Sequence, residues 1–162
     1  IQTGMTVDGM TMPSPGFIYI SGGPGTGKTT AVTSCADDMK KWAKRNGYNK
    51  PCFCHINMAA IQTQTSYGKM RTVTTKIATA IDINNASAHT EFEREFKKKV
   101  VVLILDEIDM PFKHHKGIGE TWFRTLIHWA EDKEMCFSMI GISNCINDAN
   151  ATRIRELGNS PR

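Results

Sequence analysis

Apolar and polar positions alternate along this chain in blocks of two kinds. Phe17–Ser21 is a short apolar run ending in Gly22-Gly23-Pro24-Gly25, which predicts a buried strand entering a tight loop. From Thr29 to about Asn46 the residues favour helix, with Gly47 as the stop. Residues 51–57 form a second apolar run of strand type. Residues 61–81 place Met70, Val73, Ile77, Ala80 and Ile81 at helical spacing. A charged helical segment at 91–99 leads into residues 100–105, the most strand-like run of the chain. After a loop through 111–119, Trp122, Leu126 and Trp129 repeat with a helical period over 121–129. Residues 135–142 are a further apolar strand, and 147–157 a short helix before Gly158. The opening sixteen residues, rich in Gly, Thr, Met and Pro, show no period and read as loop.

Strands alternating with helices at this spacing imply parallel pairing and an α/β sandwich. A run apolar on both faces, such as 100–105, suits a strand covered on both sides. No internal repeat or low-complexity tract interrupts the pattern.

Composition changes this picture little. With 162 residues, 40% hydrophobic and 22% charged, the chain suits one ordinary globular domain. No apolar run approaches the roughly 20 residues of a membrane helix, and residues 1–16 lack the basic-then-apolar form of a signal peptide. No membrane partner is expected. The five cysteines (Cys35, Cys52, Cys54, Cys136, Cys145) are odd in number and scattered over apolar segments, so they read as reduced, buried thiols of an intracellular protein. Cys52-x-Cys54-His55 lacks the second ligand pair of a zinc site, and core packing is the better reading.

Charge is uneven. Residues 1–81 carry nine Lys/Arg against three Asp/Glu, a net of +6, and the remainder a net of −2. A basic first half is compatible with nucleic-acid contact, and equally with a solvated helix face.

The chemistry lies where strands end. Gly22-Gly23-Pro24-Gly25-Thr26-Gly27-Lys28-Thr29 satisfies G-x-x-x-x-G-K-[ST] in full, between a predicted strand and a predicted helix. A chain wrapping a triphosphate must turn its amides inward, which favours glycine, while the helix behind points its positive end at the phosphates. Lys28 supplies a mobile cation and the Thr29 hydroxyl a ligand for Mg²⁺; Thr30 follows on the same turn. The expected cofactors are therefore ATP and Mg²⁺.

The 100–105 strand ends in Asp106-Glu107. Beside a phosphate loop, Asp106 can face the metal and Glu107 can polarise water for attack on a γ-phosphate; a solvated turn or cap is the plain alternative. Asp109 reads as solvated. Asn144, after the next strand, could hold that water or a phosphate oxygen, or could simply end the strand. Arg153 and Arg155 are either surface charges or an arginine finger for a neighbouring subunit.

Taken together, these segments resemble the AAA+ ATPases. More narrowly they are similar to the replication initiators comprising the largest origin recognition complex subunit and cell division control protein 6. The narrowing rests on Thr125-Leu126-Ile127-His128-Trp129 followed by Ile140-Gly141-Ile142-Ser143-Asn144, similar to that family's "IGIAN" strand. The resemblance implies a P-loop AAA+ core spanning 1–162, its parallel sheet sandwiched between helices. It makes Lys28 and Thr29 the Walker A pair, Asp106 and Glu107 the Walker B pair and Asn144 sensor 1. Asn57 matches the polar residue able to pair with the catalytic glutamate, and Arg153 is preferred as the finger.

The same resemblance implies origin recognition complex or related AAA+ subunits, the MCM helicase and duplex DNA as partners. It places the protein in the nucleus if eukaryotic, otherwise in the cytoplasm. Residues 58–81 fall where the family carries a DNA-contacting insertion, with Lys69, Arg71 and Lys76 as phosphate contacts. The chain stops before the family's fifth core strand, lid and winged helix, so it is expected to be a fragment with slow or absent hydrolysis on its own. A clamp-loader subunit, a bacterial helicase loader and a non-hydrolysing ATP-binding scaffold are the rival expectations.

Overall fold

A computed structural model describes residues 5–7, 10–12, 16–83, 89–113, 120–144 and 149–158. Met5–Val7 (β1) and Met10–Met12 (β2) pair antiparallel as a small hairpin, where the sequence suggested only loop. Three-residue strands carry too few alternations to register as a period.

Phe17–Ser21 (β3) leads through the glycine loop to Lys28–Arg45 (α1), which stops at Asn46 before Gly47, whose φ is +75°. Cys52–Asn57 (β4) follows, then a single 3-10 turn over Met58–Ile61 and the helix Ser66–Ile81 (α2). The expected helix over 61–81 thus starts late: Thr65 caps it, its side chain accepting from the Gly68 N–H, and the chain reaches that cap through the 3-10 turn. His89–Phe96 (α3) precedes Val101–Asp106 (β5), and Met110–Lys113 (α4) occupies the start of the expected loop. Thr121–Glu131 (α5), Phe137–Ser143 (β6) and Ala149–Gly158 (α6) complete the order.

Four strands form one parallel sheet in the order β3-β6-β5-β4. The two-residue period sorts its side chains onto two faces. On one, Cys54, Ile56, Leu103, Leu105, Phe137 and Met139 join α2, α3 and α5 in the larger core, where Phe96 packs against Trp129 and Phe137 at 5.4 and 4.9 Å between ring centroids. On the other, Val102, Ile104 and Ile142 meet Val32 of α1. Val101 to Leu105 are all buried, as expected of a strand covered on both sides, and each such side chain contributes about 1.5–3 kcal/mol.

Gly141 shows how close the packing is. A Cβ there would lie 2.9 Å from Ile108 Cδ1 and 3.0 Å from Phe17 Cε2. The glycine in β6 lets the turn after β5 lie directly on the sheet.

The cysteine expectation needs correcting. Cys54 and Cys136 are buried and Cys52 half-buried, but Cys35 is exposed on α1; Cys145 lies outside the described residues. Burial pushes the Cys54 thiol up to about 11, so it stays protonated and is a poor metal ligand. No helix among the described residues is long and apolar enough to cross a membrane.

Candidate functional site

All four strands run parallel, so their carboxyl ends share one edge. The register sets Ser21 beside Ser143, Ile142 beside Asp106, and Asp106 beside Asn57. Gly22, Asn144, Asp106 and Asn57 thereby form a row in the place where open α/β sheets bind ligands. The Gly22 N–H donates to the Ser143 carbonyl at 3.3 Å, which ties the loop to the end of β6.

The loop turns on Gly25 and Gly27, whose φ values of +74° and +81° suit residues without a Cβ. Gly27 caps α1 with no side-chain hydrogen bond, and no acidic residue occupies the first turn. The first amides of α1 therefore keep their positive potential. Thr26 Oγ1 donates to the Gly23 carbonyl at 2.9 Å and holds the curve. Lys28 Nζ reaches back over the loop, donating to the carbonyls of Gly22 and Gly23 at 2.8 and 2.7 Å. Pro24 through Gly27 are exposed, as is Thr30 one position beyond Thr29.

Thr29 and Asp106, 77 positions apart, meet directly: Thr29 Oγ1 donates to Asp106 Oδ2 at 2.9 Å. A hydroxyl and a carboxylate converging this closely are hard oxygen ligands of the type Mg²⁺ takes alongside phosphate oxygens. The residues fit the ion. His55 Nε2 stands 3.6 Å from the same Asp106 oxygen. The sequence reading weighed His55 only within a zinc motif that it set aside; the strand period, which puts His55 on the same face as Asn57, was the available signal for its place here.

Glu107 lies half-buried just past Asp106 with φ +53°, a left-handed conformation that costs a side-chain-bearing residue about 1–2 kcal/mol. Its N–H donates to Asp106 Oδ1 at 3.0 Å, while the next amide, Ile108 N–H, donates to the Ile142 carbonyl at 3.0 Å. The strained turn is thus pinned on both sides. Asp109, expected in solvent, is 1% exposed, and its Oδ1 accepts from Ser143 Oγ at 3.0 Å. A carboxylate three residues past a strand looks solvated in sequence; here the turn folds inward over β6.

The remaining candidates are distributed as follows. Asn144 is exposed at the end of β6. Asn57 Oδ1 accepts from the Ala59 N–H at 2.9 Å, capping the 3-10 turn. Arg153 is paired with Glu120 at the start of α5, and Arg124 Nη2 approaches the same carboxylate at 3.9 Å. The Arg155 side chain lies outside the described residues. Lys69 does not reach the surface: it is 0% exposed, its Nζ has no hydrogen-bond partner among the described residues, and desolvation lowers its pKa. It is excluded as a phosphate contact in this fold, because α2 turns it into the core while Arg71 and Lys76 stay exposed.

Comparison with known proteins agrees with this geometry. The model of the AAA family, ATPases associated with various cellular activities, matches residues 18–157. Curated relatives include the cell division control protein 6 homolog of Oryza sativa, 22% identical over 140 residues, and origin recognition complex subunit 1 of Drosophila melanogaster, 30% identical over 138 residues. These alignments cover 82% of this chain, but only 26% and 14% of those proteins. Among solved structures, a chain of Drosophila ORC bound to DNA superposes with TM-score 0.59 at 22% identity, over 81% of this chain and 33% of that one. The Aeropyrum pernix ORC2 protein, solved in ADPNP-ADP complexes, gives 0.62 at 15% identity, over 86% and 37%. At such identities the structural matches speak for the fold. The chain belongs to the AAA family of ATPases and, within it, is similar to the cell division control protein 6 and origin recognition complex subunit 1 proteins.

Proposed function

We propose that this chain is the nucleotide-binding core of a DNA replication initiator, binding ATP with Mg²⁺ and hydrolysing it slowly unless partner subunits are present. The observation that carries the reading is the 2.9 Å contact between Thr29 and Asp106, which brings the phosphate loop and the acidic strand end to one point. The uncapped start of α1 and Lys28 would hold the phosphates, and Thr29 and Asp106 the Mg²⁺. Bound Mg²⁺ would offset phosphate charge. Glu107 would take a proton from the attacking water, and Asn144 would orient that water or a phosphate oxygen. Asn57, whose Oδ1 accepts from the Ala59 N–H, would meet Glu107 through its Nδ2 donor, and Arg153, held to Glu120 through Nε, would serve a neighbouring subunit through its Nη groups.

For the whole protein we extend the reading to nuclear origin recognition complex or related AAA+ partners, to duplex DNA and to loading of the MCM helicase. The relatives' names and the DNA-bound ORC structure support it.

Glu107→Gln tests the chemical step. In full-length protein it should keep Mg-ATP affinity while turnover falls by about 10²–10⁴. Parallel loss of binding and turnover would give Glu107 a structural role and remove the general base from the proposal.

A further inference from the structure

A second site adjoins the nucleotide row, bordered like it by His55, where α2 runs beside the outer edge of the sheet. β4 is the last strand of its sheet among the described residues. The Cys52 N–H donates to the Val100 carbonyl at 2.8 Å, so Cys52 and alternate residues after it direct their backbone groups toward β5. The N–H and C=O groups of Phe53 and His55 therefore face outward. Between this edge and α2 lies a groove of about 720 Å³. Thr72, Thr75, Lys76 and Thr79 line it at helical spacing, together with Arg71. None of the described residues lining it is acidic.

We propose that this groove takes an extended acidic peptide of a partner protein, added as a further strand on β4. An unpaired strand edge offers alternating donors and acceptors, and only another peptide backbone answers both. Duplex DNA answers only half of this description: its phosphates could accept from the outward N–H groups of Phe53 and His55 but would leave the neighbouring carbonyls facing like partial charge. The flanking cations set the side-chain preference. Arg71 and Lys76 are five residues apart on α2, about 7.5 Å of helix rise and about 140° around its axis, so their long side chains flank the groove from two sides. Residues i and i+2 of a strand are about 6.6 Å apart and point to one side. A segment with acidic residues two apart would set both carboxylates within reach of the long Arg71 and Lys76 side chains. This inference uses no step of the nucleotide chemistry, although His55 borders both sites. It reassigns Arg71 and Lys76 from the DNA contact that the sequence suggested.

The test uses the full-length protein and a fluorescein-labelled synthetic peptide with Glu-Val-Glu at the centre of Thr-Val repeats. Three comparisons accompany it: a Lys-Val-Lys version, a version N-methylated at the alternate residues that face β4, and a short DNA duplex as competitor. Both altered peptides should bind at least about tenfold more weakly, and so should the Glu-Val-Glu peptide to the Arg71→Glu, Lys76→Glu double variant. The Phe53 and His55 amide resonances should shift on binding. Equal binding of the N-methylated peptide would remove the strand pairing and overturn the proposal. Displacement by the duplex, with duplex binding lost in the double variant, would instead make this a phosphate-reading face. No binding of the Glu-Val-Glu peptide up to about 1 mM would overturn it as well.

Discussion

Helices α1 and α2 each follow the carboxyl end of a parallel strand, so both present an N-terminus at the same edge of the sheet. Each also carries a lysine in its first turn, Lys28 and Lys69. Beyond that they are opposites. The start of α1 is capped by a glycine with no side-chain bond, whereas Thr65 Oγ1 accepts the Gly68 N–H of α2 at 3.1 Å. Lys28 reaches over loop carbonyls near the surface, while Lys69 is sealed in the core. The helix dipole is common to both, so it does not make a site. What distinguishes them is whether side chains already satisfy the amides and whether the cation can move.

That contrast can be broken at three points. The largest effect should come from Lys28→Ala, which removes the mobile cation. ATP affinity of the full-length protein should fall by about a hundredfold, read by titration calorimetry. Undiminished affinity would make α1 no more of a phosphate site than α2.

Lys69→Met should act in the opposite sense, stabilising the fold by about 1–3 kcal/mol in urea unfolding, because a buried donor without a partner is replaced by an apolar chain of similar length. The sign with pH is fixed. Unfolded lysine titrates near about 10.4 and folded Lys69 below that. Between the two values the unfolded state binds more protons, so stability rises with pH, and the variant should lose that rise. A destabilised variant would mean that Lys69 has a partner worth more than its burial costs.

The smallest effect is expected from Thr65→Ala, which should cost about 1 kcal/mol of stability while leaving ATP affinity unchanged. An affinity loss there would show the two helix starts to be coupled rather than distinct.

The same contrast explains what could be read in advance. The phosphate loop and the Asp106-Glu107 strand end were legible because their requirements are local: glycines at the two left-handed positions, a hydroxyl after the lysine, an apolar run before the carboxylates. Four parallel strands were legible from alternation. Lys69 was not, because charge counting takes no account of which way a helix faces, and 66–81 has polar residues on most of its circumference. Asp109 escaped for a related reason: its partner Ser143 is 34 positions away and is met only through the β5–β6 pairing. The β1–β2 hairpin was too short to show a period.

The left-handed Glu107 has a consequence of an evolutionary kind. Glycine or asparagine would occupy that backbone more comfortably than glutamate. Folding alone therefore gives no reason to keep a glutamate there, and under the proposed chemistry only turnover does. A descendant that kept ATP merely as a structural ligand would drift at this position first, toward the residues the backbone prefers, while Lys28 and Thr29 stayed in place. Position 107 thus serves as a historical marker: its identity across a lineage would record when hydrolysis, as distinct from binding, ceased to matter.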